Sequence, residues 1–158
     1  MTARPTYRII ACDLDETLLG TDRRVSPENR EAIRRAREKG VKFVPATGRG
    51  FPSVQGILRD LELYDRPGEY VLSYNGGAIT ENRGNRLLHF EGLSFEKTEA
   101  LFQKGLQYGL CIHVYTQETV YVYNFTHDEE TFLRGRMEVS LPKENSIAFL
   151  RNTPIGKV

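Results

Sequence analysis

The sequence predicts an α/β fold whose first half is a parallel sheet. Apolar runs and helical patterns alternate from Tyr7 to Ser73 in the order strand–helix–strand–helix–strand, and right-handed crossovers turn that order into neighbouring parallel strands. After Asn75-Gly76-Gly77 the alternation gives way to hairpin-like pairs, so a second, smaller unit is expected to begin near residues 82–86.

The elements follow in order. Tyr7 to Asp13 (YRIIACD) is a short apolar run with β-branched residues, the pattern of a buried parallel strand. Ser26-Pro27-Glu28 is a helix start, with Ser as N-cap, Pro at the first helical position and an acid near the positive dipole end. That helix is expected to bury Ala32, Ile33 and Ala36 and to stop at Gly40. Val41 to Ala46 is a second strand, with Pro45 near its end where no ladder donor is needed. Val54, Ile57, Leu58 and Leu61 share one side of a helix over residues 52–61, and Tyr70 to Ser73 is a third strand. Ala78–Thr80 and Arg86–Phe90 flank a polar turn as a hairpin. Ser94 caps a helix closed by Gly109; Cys111–Tyr115 and Thr119–Tyr123 read as paired strands. A polar helix over residues 128–136 and a short strand at Ile147–Leu150 complete the pattern.

Composition bounds the function. Of 158 residues, 39% are hydrophobic and 27% charged, which is a globular composition. A formal net charge of +1 provides no global attraction to nucleic acid or to an anionic membrane, and neither is expected as a partner. The N-terminus lacks the apolar core of a signal peptide, and Cys12 and Cys111 show no metal-type spacing. They read as buried free thiols, which suits a cytoplasmic protein.

Chemistry concentrates at Asp13-Leu14-Asp15-Glu16-Thr17, directly after the first strand. Residues i and i+2 of an extended chain face the same way, so two carboxylates converge where open α/β sheets place their sites. Such a pair calls for a cation, and Mg²⁺ suits hard oxygen ligands beside a phosphate. Ala46-Thr47-Gly48-Arg49 ends the second strand, where a hydroxyl and exposed N–H groups can bind phosphoryl oxygens.

DLDETLL (13–19), the Ser-Pro-Glu-Asn-Arg helix start (26–30), the strand with ATGR (41–49) and SYNGGAI (73–79) together resemble the haloacid dehalogenase-like superfamily. Within it, they resemble the Cof-type sugar-phosphatase branch. The resemblance covers the first 80 or so residues well, and it implies a partial Rossmann-like core over 1–83 followed by part of an α+β cap over 84–158. It also implies roles. Asp13 is the nucleophile, forming an aspartyl-phosphate, and Asp15 is the acid/base. Thr47 and the Gly48 amide hold a phosphoryl oxygen, and Asn75 faces the crevice. The Asp13 carboxylate and the Asp15 main-chain carbonyl bind Mg²⁺. The implied substrate is a small phosphorylated metabolite.

Two departures stand out. Glu16 replaces a residue that is small in many relatives and must turn outward to avoid repelling phosphate. The Lys and the Gly-Asp cluster that complete the family's site after the cap are not found: Asp128 is the only Asp after Asp65, and Lys157 matches a cap segment better. The chain therefore looks like the N-terminal part of a longer enzyme, with an exposed sheet edge, weak Mg²⁺ binding and low turnover expected of it alone. Two alternatives stay open. One is a non-catalytic remnant that folds, self-associates through the incomplete sheet and binds metal or phosphate only. The other is a receiver-type phospho-acceptor, which does not call for Asp15 or for the hairpin. His127-Asp128-Glu129-Glu130 reads as a solvated helix start rather than a metal cluster, and His113 reads as structural.

Overall fold

The computed structural model describes residues 7–158, so residues 1–6 of the segment read above for leader character lie outside it. It contains a first unit that ends at His89 and a second, Phe90–Val158. Residues 84–89 thus belong with the first unit, because the hairpin strand they form adds to its sheet.

The first sheet runs in simple chain order. Strands β1 (Ile9–Asp13), β2 (Lys42–Ala46) and β3 (Tyr70–Ser73) are parallel; β4 (Ala78–Glu81) pairs antiparallel with β3, and β5 (Arg86–Phe90) lies beside β4. Helix α1 (Pro27–Glu38) crosses from β1 to β2, and a 3₁₀ turn (Phe51–Val54) with helix α2 (Gln55–Asp60) crosses to β3. Leu14, Ile33, Phe43, Val54, Leu58 and Val71 form the centre of its apolar core.

The first strand is not buried as its apolar run suggested. It lies at the sheet's edge, with β2 on one side, and Ile9 and Ile10 are 64% and 41% exposed. Apolar content marks a strand but cannot tell an edge from a centre. Helix α1 begins as expected: the Ser26 hydroxyl accepts from the Asn29 N–H at 3.1 Å. It buries Ile33 alone, however, while Ala32 is exposed and Ala36 half-buried. Pro45 lies within β2, opposite Cys12. Thr47 donates its N–H to Leu72 on β3, so Pro45, two residues earlier, turns its donorless nitrogen the same way. The β2–β3 register is accordingly confined to Ala46 against Leu72.

The second unit has a four-stranded sheet in the order β8-β7-β6-β9. Strands β6 (Ile112–Thr116) and β7 (Val120–Tyr123) form the expected antiparallel pair. Helix α3 (Phe95–Gln107), capped by Ser94, buries Phe102 edge-on against Tyr123 at 4.7 Å. Helix α4 spans His127–Leu133, shorter than expected, and is followed by β8 (Val139–Ser140) beside β7. The strand expected at Ile147–Leu150 is instead a 3₁₀ turn (Ala148–Leu150), and the last strand is β9 (Ile155–Lys157), antiparallel to β6. Ile147 and Leu150 are both buried. A 3₁₀ turn eclipses residues three apart, whereas a strand would send them to opposite faces. Cys12 and Cys111 are free thiols, half-buried rather than fully buried.

Candidate active site at the carboxyl edge of the first sheet

The three parallel strands end level. Asp13, the last residue of β1, is in register with Ala46, which is in register with Leu72. The loops after β1, β2 and β3 therefore leave from one edge, the usual site position in an open α/β sheet.

Backbone conformation aims the first loop. Asp13 (φ −66°, ψ 153°) and Asp15 (φ −71°, ψ 130°) are extended, while Leu14, between them, starts the helical turn and is fully buried. Glu16 takes φ 58° and is exposed, which turns its carboxylate outward. A wide turn closes behind it, with the Leu19 N–H donating to the Leu14 carbonyl at 2.9 Å. Within this turn the Thr17 hydroxyl donates to Asp13 Oδ2 at 3.0 Å, which fixes the carboxylate's orientation and leaves Oδ1 as the oxygen not engaged by Thr17.

Asp15 meets the second loop directly. Arg49 donates from Nε to Oδ2 at 2.8 Å and from Nη2 to Oδ1, a two-pronged pair. The Arg49 side chain is 8% exposed and that of Asp15 30%. Nothing in the sequence marks Arg49 for this role: a buried guanidinium demands a carboxylate, but its burial is visible only in the fold.

Thr47 is buried and acts as a junction. Its Oγ1 accepts from the Arg49 N–H at 3.1 Å, so its own proton can be donated elsewhere. Its carbonyl accepts from the Asn75 N–H at 3.1 Å, and the Arg49 carbonyl accepts from the Tyr74 N–H at 3.1 Å. Asn75 itself is exposed, and Gly48 is half-buried. Tyr74 (φ 54°) and Asn75 (φ 58°) are successive non-glycine residues in the left-handed region, strain of the kind found at functional loops. Burial pushes the Tyr74 hydroxyl up to about 12.

The geometry thus joins Asp15 to the 47–49 loop by side chains and Asn75 to it by backbone, while strand register brings Asp13 level with them. A family model of haloacid dehalogenase-like hydrolases matches residues 10–158, nearly all of the described chain. The protein is a haloacid dehalogenase-like hydrolase. The Bacillus subtilis protein YxeH is 32% identical over 118 residues, covering 75% of this chain and 43% of YxeH. The 5-amino-6-(5-phospho-D-ribitylamino)uracil phosphatase YwtE of the same organism is 34% identical over 111 residues, 70% of this chain and 36% of YwtE. A haloacid dehalogenase-like hydrolase from Bacteroides thetaiotaomicron superposes with TM-score 0.74 at 26% identity, covering 94% of this chain and 56% of that structure. The chain spans about half the length of the relatives it matches.

The oxygen donors at this edge fit a hard cation in kind. The Asp13 carboxylate and the Asp15 main-chain carbonyl are the candidates, and Mg²⁺ takes few protein ligands, keeping several waters. Among the described residues no third acidic, His or Cys side chain gathers with Asp13 and Asp15; the one such three-residue group lies in the second unit.

Proposed function

We propose that the first unit of this haloacid dehalogenase-like hydrolase carries the nucleophile end of a Mg²⁺-dependent phosphatase of small phosphorylated metabolites, with sugar phosphates as the leading class. The observation that supports it most is the presence at one sheet edge of Asp13, oriented by Thr17, and of Asp15, clamped by Arg49. YwtE, named for a phosphorylated ribityl substrate, agrees with that class.

In this reading Asp13 Oδ1 attacks phosphorus, forming the Oδ1–P bond as the bond to the leaving oxygen breaks. Asp15 gives that oxygen a proton and then takes one from the water that hydrolyses the aspartyl-phosphate. Arg49 holds Asp15 in place for both proton transfers. The Thr47 hydroxyl and the Gly48 amide donate to phosphoryl oxygens, and Asn75 touches the substrate. Mg²⁺ on Asp13 and the Asp15 carbonyl supplies charge neutralisation when bound.

The test is Mg²⁺-dependent phosphate release from an aryl phosphate, beside Asp13→Asn. Turnover that disappears in the variant supports the assignment. Turnover of equal rate in Asp13→Asn sinks it.

The exposure of Ile9 and Ile10 on β1 favours a second reading for the chain alone. In it, the chain folds, covers that edge with another copy of itself and binds metal or phosphate without turnover. Folded protein that binds phosphate but releases none would support it.

A further inference from the structure

The second unit brings together three side chains that are far apart in chemical type and suited to a different cation. Cys111, just before β6, and His113, two residues on, lie on one side of the extended chain. Glu129, in the first turn of α4, reaches the same place. Their ligand atoms lie within 4.8 Å of one another, and His113 Nε2 is 3.0 Å from Glu129 Oε1. Ligand atoms around a tetrahedral zinc are about 3.5 Å apart, from Zn–S and Zn–N bonds near 2.3 and 2.0 Å. The spacing needs only a small contraction to match.

The surroundings favour a cation too. The other imidazole nitrogen, Nδ1, is 3.4 Å from the Tyr115 hydroxyl, a contact that orients the ring and presents Nε2. All three side chains are half-buried, close enough to the surface for water to fill a fourth position. The opposing charge is Lys157 of β9, which bears on His113; a thiolate and a carboxylate together outweigh it.

The geometry points to a zinc-type site in the second unit, with Cys111 Sγ, His113 Nε2 and a Glu129 carboxylate oxygen as ligands and water as the fourth. Binding replaces the thiol proton by the metal: the S–H bond breaks, the S–Zn bond forms and one proton leaves to buffer. The cation reinforces the link between β6 and α4 that the His113–Glu129 contact makes. The site lies outside the Asp13 edge and needs no part of its chemistry.

The experiment is titration of the whole chain with Zn²⁺ against a chromophoric chelator, and with Co²⁺ followed by absorption. One equivalent of Co²⁺ giving a thiolate-to-cobalt charge-transfer band, displaced by Zn²⁺, is the expected result. Cys111→Ser should abolish the band, and His113→Gln, which removes a direct ligand, should weaken Zn²⁺ binding by at least the roughly 10–100-fold that loss of an outer-shell partner costs. Asp13→Asn should change neither. The wild-type band is diagnostic by itself, so a variant that fails to fold does not remove the test. Absence of a thiolate band in the wild-type cobalt complex overturns the assignment, as does a band that survives in folded Cys111→Ser.

Discussion

Gly50→Ala is a sharp probe of the loop that holds the candidate site. Gly50 has φ −75°, an ordinary value for any residue, so a methyl group there adds no backbone strain. The cost is steric alone. An added Cβ would lie 2.8 Å from the Tyr74 hydroxyl oxygen, 2.9 Å from Cε1 and 3.1 Å from Cζ. All three contacts are tighter than carbon ordinarily tolerates, and Tyr74 is 4% exposed. The ring cannot swing out without disturbing Tyr74 and Asn75, whose N–H groups bond the carbonyls of Arg49 and Thr47. Overpacking of this kind costs about 1–3 kcal/mol. Urea denaturation should show that loss with an unchanged slope, and phosphate affinity should fall with it. Gly50→Ala in a Tyr74→Phe background should recover only part, because Cε1 at 2.9 Å remains. A loss below about 0.5 kcal/mol, the range of neutral surface changes, would refute the claim that Tyr74 locks the loop.

Ser26→Ala removes the α1 cap and should cost about 1 kcal/mol by urea denaturation. Asp15→Asn keeps the shape but leaves the Arg49 guanidinium facing a neutral amide; a loss of about 1–3 kcal/mol is expected from denaturation midpoints. Glu81 is held below its ordinary value first by the Gly68 N–H and then by Arg86. Its folded value is the lower one, so its stabilisation is present above about 4.5 and is lost as pH falls through the folded value. The stability gap between wild type and Glu81→Gln should therefore close in acid, as urea midpoints against pH will show. Self-association through β1 should appear as concentration-dependent light scattering and should weaken in Ile10→Lys, which places a charge on the edge.

Much of the first unit was legible because its signals are local. Ser26-Pro27 announces a helix start by cap chemistry, and the apolar run before Asp13 announces the strand whose end carries Asp13 and Asp15. What was not legible depended on partners. β1 reads as buried because an apolar run carries no record of which neighbours the sheet provides. Ile147–Leu150 was misread because four apolar residues cannot reveal whether they bury at a spacing of two or three. Arg49 and Tyr74 gained meaning only once Asp15 and Gly50 were beside them. Cys111 and His113 show no metal-type spacing because the third group, Glu129, comes from another element.

The arrangement also separates what the exposed edge affects from what it does not. Arg49, Thr47, Tyr74 and Asn75 are tied to one another across β2 and β3, and Asp15 joins them through Arg49. None of these bonds uses the outer side of β1. In the proposed function, the geometry that holds phosphate is therefore set within the first unit, whatever covers that edge. Asp13 differs, because it stands on β1 itself and is exposed. A pairing strand on the outer side would change the surroundings of Asp13, the proposed nucleophile, far more than those of the 47–49 loop. Covering the edge should thus alter the rate of phosphoryl transfer more than the affinity for phosphate, and comparing self-associated with monomeric protein in the aryl-phosphate assay separates the two. Equal shifts in both quantities would mean that the loop is not held independently of β1.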